Sequence, residues 1–163
     1  MHYAKSKPDC IKSLLVTNSV SAFSPSGVIK PINQYEDTIR QKGTRALPIH
    51  PWYSNSLADT LKNRMIVAAD NIDIEAVISG LRLLPKLSTY PFIGTLPPTI
   101  VANGIYEKSF QPIIAAAIEK CPELKSEDLN GGHAVNINCA DAFNKIAIDF
   151  FLERFEQSEI RRE

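Results

Sequence analysis

The sequence contains few of the residues that build disulfide frameworks and metal centres. Cysteine and histidine each occur three times in 163 residues. Cys10, Cys121 and Cys139 are odd in number and form no C-x-x-C pair, so neither a disulfide scaffold nor a zinc module is expected. We therefore predict no metal, no cofactor and a reducing, cytoplasmic location. We interpret the cysteines as small buried hydrophobic residues, since none lies in a motif that activates a thiol.

An excess of charge of one sign and long apolar runs are also missing. Eighteen Lys and Arg residues balance eighteen Asp and Glu residues, so no net field attracts a nucleic acid. The longest wholly apolar run, 113–118, is far shorter than the roughly 18 residues that a membrane helix needs. Charged residues as early as Lys5, Lys7 and Asp9 are not typical of a signal peptide. We expect neither nucleic acid nor membrane as a partner.

The residues that are present fit a globular α/β domain. The sequence is 44% hydrophobic and 22% charged, which argues against disorder, and its length suits one hydrophobic core. Asp70 or Asn71 is a candidate N-cap for a predicted helix over 72–84. The pattern predicts strands over 11–20, over 99–103 and, weakly because of its charges, over 124–129, with helices over 34–42, 57–68, 72–84, 110–120 and 141–155. The alternation of strands and helices along the sequence predicts a parallel sheet.

Two predicted strands are followed by loops that carry polar side chains. Glu107 lies in the loop after the strand over 99–103, and His133 lies in the Asn-Gly-Gly-His loop after the strand over 124–129. The carboxyl ends of parallel strands meet at one edge of a sheet, so the two side chains approach each other if these strands are neighbours. A carboxylate placed there orients an imidazole and stabilises its charged form. Taken singly, Glu107 is more typical of a solvated loop acid, and His133 of a loop histidine that caps a helix.

These loops carry a family resemblance. The sequence PPTIVANGIYE at 97–107 and, after a helix, GGHAVNINCADAFNKIAIDFF at 131–151 resemble the carboxyl-terminal part of the α/β-hydrolase family. The resemblance implies that Glu107 is the acid of a catalytic triad, where aspartate is more usual, and that His133 is the general base. The chain departs from the family pattern in the polar strand before His133 and in Cys139 and Ala140, which replace the usual start of the last helix.

The resemblance extends towards the amino terminus. AKSKPDCIKSLLVTN at 4–18 is similar to the end of the family's nucleophile helix and the strand after it. This similarity implies a partial α/β-hydrolase core over 1–23 and 96–163 and a helical cap inserted over 24–95. The cap is loosely like those of the enol-lactonase and esterase branch. In it, Trp52 and Tyr53 line a substrate pocket or pack the cap against the core.

The family's nucleophile motif, G-x-S-x-G, does not occur in the sequence. In the family this motif lies just before the helix with which this chain begins. The resemblance therefore implies the carboxyl-terminal part of a hydrolase that acts on an ester, lactone or similar acyl bond, inactive without a serine from outside this chain. One alternative is an inactive truncated homologue that serves as a binding module, or that folds only with its missing half and otherwise self-associates through an exposed sheet edge. Another is an unrelated ligand-binding α/β domain, in which Glu107 and His133 lie far apart.

Overall fold

A three-stranded parallel sheet forms the centre of the molecule. The computed structural model describes residues 1–24, 29–46 and 59–160. The strands are β1 (Leu14–Thr17), β2 (Thr99–Gly104) and β3 (Lys125–Leu129), in the order β1-β2-β3. Leu14 pairs with Thr99, and Ile100 pairs with Lys125. The predicted α/β class and parallel sheet are confirmed.

Helices cover both faces of the sheet. In the described part of the chain they are α1 (His2–Ser6), α2 (Val20–Phe23), α3 (Ile29–Lys42), α4 (Asp59–Ala69), α5 (Ile74–Leu83), α6 (Gln111–Lys120), α7 (Val135–Asn138) and α8 (Ala140–Ile160). Short 3₁₀ helices occur at Pro8–Cys10, Thr44–Ala46, Leu84–Leu87 and Tyr90–Thr95. The described chain between β1 and β2 is thus helical, and its division from the core as a cap stays a prediction.

The middle strand, β2, is buried at all six of its residues. Strands flank both of its edges, and successive side chains point to opposite faces of the sheet. Val101 packs in a cluster with Phe110 and Ile114 on one face. Ala102 packs with Val135 on the other. Burial on both faces explains why β2 is a continuous apolar run rather than an alternating one.

Several predicted boundaries shift in the structure. Strand β1 is shorter than the predicted 11–20, because pairing with β2 ends at Thr17 and α2 begins at Val20. The N-cap of α5 is Asp73, whose carboxylate accepts a hydrogen bond from the Ala76 amide at 2.8 Å. The prediction of Asp70 or Asn71 as this cap is wrong. The carboxylate of Asp70 is bound instead by the Arg45 guanidinium.

Two predictions of burial are wrong. Cys10 is exposed, whereas Cys121 and Cys139 are partly buried. Cys10 ends a short 3₁₀ helix outside the sheet, which gives its thiol no core to enter. The pattern over 143–151 also predicts an apolar stripe that packs into the core; the structure buries Phe150 of this stripe, but Phe151 remains 45% exposed.

A group of ion pairs joins α3 to α5. The Glu36 carboxylate accepts hydrogen bonds from Arg82 Nε at 3.0 Å and from Arg40 Nε at 3.2 Å. Arg40 also binds Glu75 on α5 at 2.7 Å. The hydrogen bond from Arg82 is the largest cause that lowers the pKa of Glu36; desolvation opposes it and Arg40 adds to it. The carboxylate form of Glu36 is therefore the form that this packing favours.

Glu36→Gln is expected to destabilise the protein at pH 7 and to destabilise it less at pH 3. A carboxyl whose pKa is lower in the folded chain stabilises the fold above its ordinary pKa, about 4.3 for glutamate. That contribution is lost as the pH falls through the folded value. Urea midpoints of both proteins at the two pH values measure the difference. Glu119→Gln, on the exposed side of α6, is the control for charge loss, and a Glu36 effect that is constant with pH would contradict the account.

Candidate active site

The carboxylate of Glu107 is held in a tight turn directly after β2. The Glu107 amide donates to the Gly104 carbonyl at 3.0 Å, and the Phe110 amide donates to the Glu107 carbonyl at 2.9 Å. The residue is only 7% exposed. Ser109 Oγ donates to Glu107 Oε1 at 2.9 Å. One carboxylate oxygen is thus bound within the turn, which fixes the direction of the other.

That other oxygen faces His133. Glu107 Oε2 lies 3.0 Å from His133 Nδ1, and the histidine side chain is 25% exposed. A carboxylate only accepts, so Nδ1 donates and the neutral ring keeps its lone pair on Nε2. An imidazole and a carboxylate in this arrangement can act as a general base and its orienting group. Such a base acts by removing a proton from a third group, the nucleophile.

The loops that carry these side chains are in backbone contact. The Ile105 amide donates to the Leu129 carbonyl and the Tyr106 amide to the Gly131 carbonyl, both at 3.0 Å. A Cβ on Gly104 would lie 2.1 Å from the Gly132 carbonyl oxygen. Glycine is therefore required at position 104 by this close approach. The contact brings the loop that carries Glu107 against the loop that carries His133.

Polar side chains at the carboxyl end of β2 support the turn. Asn103 is 1% exposed, and its Nδ2 donates to Gln111 Oε1 at 2.9 Å and to Asp128 Oδ1 at 2.7 Å. Gln111 Nε2 donates to the Gly104 carbonyl at 3.2 Å. Neither Asn103 nor Gln111 is marked as a site residue by the sequence pattern. The available signal was an asparagine at the end of an otherwise apolar, buried strand, because a buried amide requires partners.

The structure brings together two of the four predicted site residues, Glu107 and His133. Trp52 and Tyr53 lie outside the described residues. The alternative of an unrelated ligand-binding domain requires Glu107 and His133 to lie far apart. Their side chains are instead 3.0 Å apart. In the described ranges, no group of three His, Cys, Asp or Glu residues is placed to hold a metal ion. No helix among the described residues has the length and apolar character to cross a membrane.

Comparison with known proteins finds similarity in three dimensions only. No protein-family model and no curated protein matches the sequence. A carboxylesterase from Nitrososphaera gargenis superposes with a TM-score of 0.75 at 15% identity, over 96% of this chain and 61% of that one. The enol-lactonase from Burkholderia xenovorans LB400 gives 0.70 at 19% identity, over 91% and 59%. The esterase from Exiguobacterium antarcticum gives 0.70 at 10% identity, over 85% and 56%.

These similarities cover nearly all of this chain and a limited part of each neighbour. The chain spans about three fifths of the length of the solved hydrolases that it matches. Its small parallel sheet and flanking helices match the fold of these neighbours. The chain therefore has a partial α/β-hydrolase fold.

Proposed function

We propose that this chain supplies the general base and its orienting carboxylate to a serine hydrolase acting on an ester, lactone or similar acyl bond. The observation that carries the proposal is the 3.0 Å contact between Glu107 Oε2 and His133 Nδ1 at the carboxyl ends of adjacent parallel strands. The hydrolase fold supports it, and solved structures with that fold include carboxylesterases and an enol-lactonase. Function in α/β folds resides in such strand-end loops.

In the proposed reaction a serine hydroxyl attacks the carbonyl carbon of the substrate. His133 Nε2 takes the hydroxyl proton and returns it to the departing alkoxide, which leaves an acyl-enzyme ester. His133 then takes a proton from water as the water oxygen attacks the acyl carbon, and it returns that proton to the serine oxygen when the acyl–serine bond breaks and the acid is released. Glu107 stabilises the imidazolium form in both steps without itself receiving a proton.

The serine is proposed to belong to polypeptide outside this sequence, since the sequence contains no G-x-S-x-G. Surfaces on the described chain support this. Helix α8 carries a second apolar stripe at helical spacing, and its members are 45% to 63% exposed: Ile148, Phe151, Leu152 and Phe155. Exposed apolar stripes of this size mark contact surfaces. The neighbours are longer than this chain by about two fifths of their length, which is enough polypeptide to cover such a stripe.

The two edge strands of the sheet also support polypeptide outside this sequence, because one edge is charged and the other is apolar. Strand β3 carries Lys125, Glu127 and Asp128, and charges of this kind protect an edge from pairing. Strand β1 has the uncharged sequence Leu-Leu-Val-Thr. In the described part of the chain it pairs only with β2. We propose that the nucleophile-bearing part of the domain pairs along β1. Without that part, a second copy of the chain is the expected occupant of this edge.

Acylation chemistry tests the proposed function. The isolated chain is expected to give no burst with 4-nitrophenyl acetate and no labelling by a serine-reactive fluorophosphonate. A longer polypeptide, translated from in-frame DNA upstream of Met1, is expected to be labelled on a G-x-S-x-G serine and to hydrolyse the ester. His133→Ala is expected to abolish hydrolysis. His2→Ala, which changes an exposed histidine bonded to the Leu87 carbonyl, is expected to retain it.

Two outcomes would overturn this proposal. A burst by the isolated chain that His133→Ala abolishes would place the nucleophile within these 163 residues. Upstream DNA that encodes no elbow serine, or a longer protein that is neither labelled nor active, would instead favour the inactive binding module.

A further inference from the structure

Asn18 lies where β1 ends and is buried between the two loops of the candidate site. It is 5% exposed and directly follows Thr17. Its side-chain amide makes two hydrogen bonds. Oδ1 accepts from the Gly104 amide at 2.9 Å, and Nδ2 donates to the Gly132 carbonyl at 3.0 Å. One side chain thus connects β1 to two segments that are 86 and 114 residues away.

Both bonded groups belong to the segments that carry the site. Gly104 ends β2 three residues before Glu107, and Gly132 directly precedes His133. Pairing of β1 with β2 stops at Thr17 and Ala102. Beyond that point the side-chain amide of Asn18, rather than a backbone hydrogen bond, joins the end of β1 to β2. It holds the Gly104 amide and the Gly132 carbonyl at a fixed distance from each other.

An amide of this length suits the position better than its close relatives do. Aspartate would accept from the Gly104 amide, but it would turn an acceptor towards the Gly132 carbonyl oxygen. Leucine would form neither bond and would leave two buried backbone groups without this partner, which is costly. The close approach of Gly104 to Gly132 leaves little freedom for compensation by the backbone.

We propose that Asn18 is a positioning residue that sets the distance between Glu107 and His133 by joining Gly104 to Gly132. The inference rests on the proposed function, because it gives Asn18 a role in the geometry of the base and its carboxylate. Asn18 acts through the two backbone groups and does not itself touch the reacting atoms.

The test follows the proton on His133 Nδ1 by ¹H–¹⁵N NMR of the full chain. In the wild type, a hydrogen-bonded Nδ1 proton is expected to exchange slowly with water. Asn18→Leu is expected to accelerate this exchange by about tenfold, because two hydrogen bonds that hold the loops are lost. Asn18→Asp retains the Gly104 bond but sets an acceptor against the Gly132 carbonyl oxygen; it is also expected to accelerate the exchange and provides a second variant if Asn18→Leu does not fold.

Thr44→Val is the matched control. Thr44 Oγ1 donates to the Ala69 carbonyl and the residue is buried, but the bond joins helical segments between β1 and β2. It is expected to lower Tm without changing the His133 proton. Unchanged exchange in folded Asn18→Leu and Asn18→Asp would overturn the positioning role alone. Absence of the slow proton in the wild type would overturn the Glu107–His133 pair, and the positioning role with it.

Discussion

In the proposed complete hydrolase, Glu107→Gln is expected to lower kcat by about 10²–10⁴-fold with little change in KM. The glutamine amide carries no charge to stabilise the imidazolium that forms when His133 takes a proton. Its NH₂ group can also donate to Nδ1, which would move the ring proton to Nε2 and block the base. Because Glu107 faces His133 rather than substrate, the loss is expected in kcat and in kcat/KM alike.

Two variants distinguish this effect from a general loss of charge or of local packing. Glu123→Gln neutralises an exposed carboxylate before β3 and is expected to leave kcat unchanged. Ser109→Ala removes the hydrogen bond to Glu107 Oε1 and is expected to lower kcat only severalfold, since the charge remains. Steady-state kinetics measure all three variants, and a Glu107→Gln enzyme with kcat near that of the wild type would show that another group orients His133.

Gly104→Ala is expected to destabilise the protein by about 3 kcal/mol, at the upper end of ordinary overpacking. The added Cβ would lie 2.1 Å from the Gly132 carbonyl oxygen and 2.7 Å from that of Gly131. Both neighbours are backbone atoms, so the histidine loop must move away from β2. For a chain of this size the change corresponds to a fall in Tm of roughly 6–12 °C. The same movement would separate His133 from Glu107.

Gly80→Ala is the matched control for this substitution. Gly80 lies within α5, and a Cβ there would meet nothing within 4 Å. Alanine is a better helix former than glycine, so this variant is expected to stabilise the chain by about 0.5–1 kcal/mol. Thermal unfolding followed by circular dichroism measures both variants. A Gly104→Ala protein as stable as the wild type would contradict the close packing of the two loops.

The sequence predicted the elements that depend on local pattern and on strand order. Strand β2 was recognisable because burial on both faces makes a continuous apolar run. The meeting of Glu107 and His133 followed from placing two polar loops after neighbouring parallel strands. Their roles as carboxylate and base came from the family resemblance and stay predictions, as do the cap division and the pocket residues Trp52 and Tyr53.

Features that depend on the particular side-chain partners of a residue were not predicted from the sequence. Asn18 looks like any polar residue after a strand, because its partners lie far along the chain. Asp70 fits an N-cap by sequence alone, and only the structure shows that Arg45 binds its carboxylate and that Asp73 caps the helix. The exposure of Phe151 was equally hidden, since the helical period identifies an apolar face but not whether another element covers it.

The position of the proton on the His133 ring tests the central claim most directly. With ¹⁵N-labelled chain, the account predicts a proton on Nδ1 that is hydrogen-bonded, far downfield and slow to exchange. This signal is expected to weaken in Glu107→Gln and to be much better protected than the ring proton of the exposed His2. A His133 ring that carries its proton on Nε2, or whose Nδ1 proton exchanges as fast as that of His2 and is unaffected by Glu107→Gln, would contradict the account.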